Sequence, residues 1–257
     1  MSKSPSSFIW YELMTTDTVA AQAFYSAVVG WGTKDMHLTE EKYTLFTVAD
    51  TGVAGLMTIP KQACAGGKSP GWVGYIAVEN VDASAEQIKQ KGGAVHFGPE
   101  DIPEVGRFAA VSDPHGAIFM LLQPEGEPPA DMPAPETPGL CAWRELHAGN
   151  GPEAFDFYSE LFAWQKAGAM PMGDLGEYQM FSSGSEAVGA IMTKCEDMPK
   201  PQWMYYFNVE AIDAAIARVN ENGGRIIMGP HEVPGDLWIV QGCDPQGAAF
   251  ALVAPKK

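Results

Sequence analysis

Glu145 and His147 stand two residues apart in the run Trp143-Arg144-Glu145-Leu146-His147. Side chains alternate across a strand, so both lie with Trp143 on one face. A carboxylate among aromatic rings is partly desolvated, which raises its pKa toward the range of a general base. An imidazole titrates near neutrality. The pair is therefore a candidate for proton transfer. The same two side chains can also chelate a divalent ion together, although two ligands from one strand make no stable site unless others converge. The structural alternative is a buried acid bonded to Tyr206 or to backbone, beside an ordinary strand histidine. Trp10-Tyr11-Glu12-Leu13-Met14 repeats the pattern with Met14 in place of the histidine. Recurrence of the acid as Glu12 weighs toward the structural alternative.

The elements that position these residues are themselves written twice. Trp10, Phe24, Tyr25 and Trp31 recur as Trp143, Phe157, Tyr158 and Trp164. Tyr43, Phe46 and Met57 recur as Tyr178, Phe181 and Met192, while Trp72, Tyr75, Asp82 and Asp113-Pro114-x-Gly116 recur as Trp203, Tyr206, Asp213 and Asp244-Pro245-x-Gly247. Small changes of offset between these groups fall in loops, as expected of a duplicated domain. Within one repeat, residues 8–14 read as a strand. Thr16-Asp17 then offers a helix cap before apolar residues at helical spacing, and Gly30 and Gly32 end that helix. Short strands follow around 43–48 and 53–59. The plan then restarts, with a strand at 72–78, Asp82 as cap, a helix to Lys91 stopped by Gly92-Gly93, and strands near 94–97, 107–112 and 117–122. Each repeat is thus two βαβββ modules. The expected domains are 1–123 and 140–257, joined by a stiff, Pro-rich, acidic linker over 124–139.

Composition narrows the partners. A net charge of −16 argues against nucleic acid, whose phosphates need clustered Lys and Arg. No stretch approaches a membrane span, and residues 1–7 carry a single Lys with no long apolar core after it, so neither a signal peptide nor a membrane partner is expected. Cys64, Cys141, Cys195 and Cys243 form no CxxC pair and read as free thiols of a reducing, cytoplasmic compartment. No Walker loop, GxSxG elbow or Rossmann fingerprint occurs. His37, His96, His115 and His231 read as surface, strand or turn residues, and Arg107 as an exposed strand-end arginine that can alternatively hold a carboxylate.

Four βαβββ modules, the Phe-Tyr helix after the first strand and the Asp-Pro-x-Gly hairpin before the last strand resemble the vicinal oxygen chelate superfamily. That superfamily includes glyoxalase I, bleomycin-resistance proteins and extradiol dioxygenases. Val105-Gly106-Arg107-Phe108 with Asp113-Pro114 and the tandem Trp-x-Glu strands resemble its bacterial two-domain glyoxalase-like subgroup. The resemblance implies an α+β fold of two tandem domains, each a pair of modules whose curved mixed sheet surrounds a cup. It also implies where a metal would be held. In metal-using members the ligand positions correspond here to Trp10 and Trp143, to Val73 and Met204, and to Met120 and Ala251. None of these is a His, carboxylate or thiolate donor of the kind Zn, Ni or Fe requires. No cofactor is therefore expected.

With Trp10 at a ligand position of the family, the face it shares with Glu12 and Met14 is expected to line the first cup, together with Tyr75, Ala77 and Met120. The matching set in the second cup is Trp143, Glu145, His147, Tyr206, Asn208 and Ala251, which is roomier and more polar. If one cup is active, the second is the expected one. The leading reading is a pocket protein that binds a small organic molecule without metal, as bleomycin-resistance relatives sequester a drug. The alternatives are a metal-free isomerase, lyase or hydroxylase-like enzyme using Glu145 and His147, and a cryptic divalent-metal enzyme of glyoxalase or dioxygenase type. Trp10, Trp143, Tyr75 and Tyr206 either stack a flat ligand or fill the core. Covalent pairing of two domains is compatible with a monomer or a homodimer.

Overall fold

The computed structural model of the chain describes residues 5–36, 42–60, 69–126 and 132–257. Cys64 and His37 lie outside the described residues, as does most of the loop between Thr58 and Gly71. In the first repeat the elements run β1 (Phe8–Thr15), α1 (Thr18–Val29), β2 (Gly32–Met36), β3 (Tyr43–Val48), β4 (Thr51–Thr58), β5 (Gly71–Ala77), α2 (Val81–Gln90), β6 (Ala94–Ile102), β7 (Gly106–Ser112) and β8 (Ile118–Pro124). The second repeat runs β9 (Cys141–Ala148), α3 (Gly151–Phe162), β10 (Gln165–Pro171), β11 (Glu177–Ser182), β12 (Ala187–Thr193), β13 (Gln202–Asn208), α4 (Ile212–Glu221), β14 (Arg225–Val233), β15 (Leu237–Cys243) and β16 (Ala249–Ala254). The expected α+β order of paired βαβββ modules is present in both repeats.

Each repeat supplies one eight-stranded mixed sheet, in the orders β2-β3-β4-β1-β5-β8-β7-β6 and β10-β11-β12-β9-β13-β16-β15-β14. The first strand of each module pairs parallel with its last, β1 with β4 and β9 with β12, while the hairpins between them are antiparallel. A parallel pair needs a crossover, and the module's helix provides it.

Local chemistry explains the helix ends. Asp17 caps α1 by accepting from the Ala20 N–H at 3.0 Å, and Gly30 follows with a left-handed φ of +89°. The cap of α2 is Asn80, which accepts from the Ala83 N–H at 2.8 Å, and not Asp82. Asp82 lies in the first turn, where the helix dipole favours an acid, and there it also receives two hydrogen bonds from Arg107. Arg107 is thus tied to Asp82 and, at 2.9 Å, to Asp101.

Tight packing divides the chain into two compact units that do not follow repeat order. One takes Met1–Ile9, Val73–Pro128 and Trp143–Trp203, and the other takes Trp10–Trp72, Pro129–Ala142 and Met204–Lys257. In the first unit Trp164 stacks on Phe181 at 4.1 Å and on Tyr158 at 5.4 Å, with Phe119, Phe162 and Trp203 around them. In the second, Trp31 stacks on Phe46 at 4.7 Å, with Tyr25, Trp72, Phe207 and Phe250 around them. Burial of such rings dominates the stability of a core.

The repeated motifs meet inside these cores. In the first unit Asp113 Oδ1 accepts the N–H groups of His115 and Ala117, Tyr158 donates to Oδ2 at 3.5 Å, and the Trp203 indole donates to Tyr158 at 3.2 Å. In the second unit Asp244, Tyr25 and Trp72 repeat this arrangement at 3.3 and 2.9 Å. The Asp-Pro-x-Gly turn of one repeat is therefore held by the Phe-Tyr helix of the other. Burial raises both Asp113 and Asp244 above the usual carboxylate range, against the lowering effect of their backbone N–H bonds.

The segments entering the first strand of each repeat are pinned in the same reciprocal way. Trp164 Nε1 donates to Ser6 O at 2.7 Å, and Trp31 Nε1 donates to Gly139 O at 2.9 Å. The C-terminal part of the Pro-rich linker is thus hydrogen-bonded chain, carried along the end of β13 by bonds between Gly139 N and Asn208 O and between Asn208 N and Leu140 O.

Candidate functional site

β9 carries Trp143, Glu145 and His147 on one face, as strand alternation requires. β12 pairs in parallel beside it, with Ala190 opposite Glu145 and Met192 opposite His147. β11 lies one strand further out and brings in a residue that strand parity within β9 does not identify. Tyr178 donates its hydroxyl to Glu145 Oε2 at 2.7 Å and accepts from Trp143 Nε1 at 2.7 Å. The other carboxylate oxygen, Oε1, lies 2.8 Å from His147 Nε2. The side chains of His147 and Glu145 are only 12 and 9% exposed, so this contact is shielded from water. The two groups are at ion-pair distance without the alignment of a hydrogen bond, and Nε2 is fully buried with no aligned acceptor. Indole, phenol, carboxylate and imidazole thus form one continuous polar chain, all within the first compact unit.

The first repeat builds the same chain as far as the acid. Trp10 Nε1 donates to the Tyr43 hydroxyl at 3.1 Å, and Tyr43 donates to Glu12 Oε2 at 3.0 Å. Desolvation, and then the charge of Glu12, push the Tyr43 phenol well above its ordinary value, so it remains a protonated donor. Met14 occupies the histidine's place and is 6% exposed. Gly55, opposite Glu12 in the register, makes room for the phenol, since a Cβ there would stand 2.0 Å from the Tyr43 oxygen. The second repeat has Ala190 at that register, so its tyrosine must lie differently over the strand. The recurrence of Tyr43 as Tyr178 was the one sequence signal for this partner of the acids.

The remaining candidates fall as follows. Tyr75 pairs in register with Met120, and both are buried. Tyr206 pairs with Ala251 and accepts a 2.7 Å hydrogen bond from Gln241 Nε2. Gln241 is itself buried opposite Ala251, where the first repeat has Ala110 opposite Met120, and sequence parity did not single it out. The Asn208 amide donates to Pro135 O at 2.8 Å and Thr137 O at 3.4 Å, so its hydrogens hold the linker. His115 lies 3.2 Å from Glu153, and His96 bonds Ser112, which leaves both in local contacts. Two open grooves, each of about 400 Å³, lie elsewhere. One is bordered by Gly30, Thr47, Pro138 and Arg218, the other by Phe155, Glu160 and Trp164.

At the positions that correspond to the ligands of metal-using members, His, carboxylate and thiolate donors are absent. Trp10, Trp143, Val73, Met204, Met120 and Ala251 offer no ligand atom of the required kind. Among the described residues no three His, Cys, Asp or Glu side chains converge. On β9 the pair Glu145 and His147 turns its facing atoms toward each other.

A profile of the Glyoxalase/Bleomycin resistance protein/Dioxygenase superfamily matches residues 7–121 and 143–252. The chain belongs to this superfamily. Among its superfamily relatives, the putative glyoxylase CFP32 of Mycobacterium tuberculosis is 31% identical over 96% of this chain and 94% of the relative. The anthracycline biosynthesis protein DnrV of Streptomyces peucetius is 25% identical over 97 and 94%. The glyoxalase/dioxygenase fold is also seen in the Mn(II)-bound glyoxalase from Novosphingobium aromaticivorans, with a TM-score of 0.64, 17% identity and coverage of 99% of this chain and 83% of that one. The 2,3-dioxygenase LapB from Pseudomonas sp. KL28 shares it with a TM-score of 0.64, 14% identity and coverage of 96 and 91%. Among the described residues of this superfamily member, no helix is long and apolar enough to cross a membrane.

Proposed function

We propose that this protein binds a small organic molecule without a metal, and that the face of β9 bearing Trp143, Glu145 and His147 is its recognition surface. The observation that carries the reading is the polar chain Trp143, Tyr178, Glu145 and His147, which begins at a position where metal-using relatives would place a donor. Ligand pockets of this kind combine aromatic walls with a few placed polar groups. DnrV, named for anthracycline biosynthesis, suggests flat polycyclic phenols as first probes. In this reading the thiols of Cys195 and Cys243 belong to a reducing cytoplasm.

The test is a fluorescence titration of EDTA-dialysed protein with an anthracycline and with simpler hydroxyquinones. Saturable, stoichiometric binding that survives EDTA and weakens about tenfold or more in Glu145→Gln is the expected result. Binding or turnover that appears only after Mn, Ni or Zn is added overturns it.

The 2.8 Å approach of His147 to Glu145 favours a second reading, in which the same site transfers protons as an isomerase or lyase. That reading predicts product formation that survives EDTA and is lost in both Glu145→Gln and His147→Gln.

A further inference from the structure

The two repeats differ at one register position in an otherwise matched polar chain. Both place an indole, a phenol and a carboxylate in series, but only the second continues to an imidazole. A buried nitrogen without an aligned acceptor is costly, and native structures keep few such groups without a reason. Tyr178 occupies Oε2 of Glu145, which leaves Oε1 as the carboxylate atom facing His147.

We propose that Tyr178 is a positioning residue for His147. It anchors the carboxylate of Glu145, and the carboxylate in turn keeps the proton of the neutral imidazole on Nε2, leaving the Nδ1 lone pair as the proton acceptor for the bound molecule. An orienting carboxylate that selects one tautomer is a known device for making imidazole a base. The step is a bare proton transfer. A proton leaves an acidic O–H or C–H of the ligand, its bonding pair stays on the ligand, and Nδ1 gains the proton to give an imidazolium facing Glu145. No oxidant or co-reactant is needed. The first repeat, with Met14 at this position, is confined to binding. This assignment rests on the site being a ligand pocket, but its test does not require a ligand.

Long-range proton–nitrogen NMR of the uniformly 15N-labelled, full-length protein, at a pH where the ring is neutral, reports the tautomer of each histidine. His147, identified by loss of its signals in His147→Gln, is expected as the Nε2–H tautomer in the wild type. It is expected to become a mixture of tautomers in Tyr178→Phe and to stay unchanged in Tyr43→Phe, the matched substitution in the first repeat. An Nδ1–H or mixed His147 in the wild type overturns the proposal even if the variant does not fold. So does a folded Tyr178→Phe protein whose His147 spectrum is unmoved. The anthracycline titration, run separately, decides the pocket reading, so either can fail alone.

Discussion

Tyr178 reaches Glu145 across an intervening strand, its hydroxyl donating to one carboxylate oxygen at 2.7 Å while the other oxygen faces His147. The phenol therefore does two jobs. It satisfies a buried acid, and it decides which oxygen the imidazole meets. Removing the hydroxyl should cost about 1.5–3 kcal/mol, the usual range for a hydrogen bond to a charged group. Tyr178→Phe and Tyr43→Phe are expected to lose similar stability in urea denaturation. A Tyr178→Phe protein as stable as the wild type would mean that Glu145 is held by its other contacts.

Gly55 is required by the ring that crosses it. Gly55→Ala places a methyl group in the space of the Tyr43 hydroxyl and should break its bond to Glu12, with a loss of about 1–3 kcal/mol. Ala190→Gly at the matched register relieves no clash and should cost about 1 kcal/mol or less, the backbone penalty of glycine. The order of the two denaturation midpoints checks the difference between the repeats.

Asp113 and Asp244 carry a pH signature. Their folded-state pKa values are raised by burial, so the folded protein binds protons more readily than the unfolded chain. Stability from these two groups should therefore rise as pH falls from neutrality through the raised values toward the ordinary 3.8. In Asp113→Asn and Asp244→Asn this gain is absent, so the wild type should gain on both variants as the pH is lowered. Chemical denaturation at several pH values measures it, and a gap that moves the other way would show that the turn bonds outweigh burial.

Trp164→Phe keeps most of the ring stacking but removes the donor to Ser6 O, and Trp31→Phe does the same at Gly139 O. Each should cost about 1–2 kcal/mol, with the released segment becoming sensitive to limited proteolysis ahead of the rest of the chain. Mass spectrometry of the first cleavage products would show whether the cut falls before β1 or before β9.

The duplicated βαβββ plan was legible because it rests on local signals: strand alternation, helix spacing, and the Gly and Asp-Pro-x-Gly punctuation. The acids and the asymmetry between Met14 and His147 were legible for the same reason. The link from Glu145 to Tyr178 was not, because it depends on how β11 registers against β12, which the alternation within β9 does not encode even though Tyr43 and Tyr178 match. Asn208 shares a face with Tyr206, yet its amide is engaged by the path of the linker, which no strand periodicity encodes. Asn80 displaced Asp82 as the cap because two polar candidates two residues apart look alike until backbone angles choose between them.

Each indole that holds the entrance to a strand belongs to the opposite repeat, as does each tyrosine that holds an Asp-Pro-x-Gly turn. Neither half carries all of the side chains that complete its own structure. Two polypeptides made by opening the chain between Gly126 and Met132 should therefore be poor folders alone and should recover native structure on mixing. The peptide connection between them would then act chiefly by raising the local concentration of one half around the other.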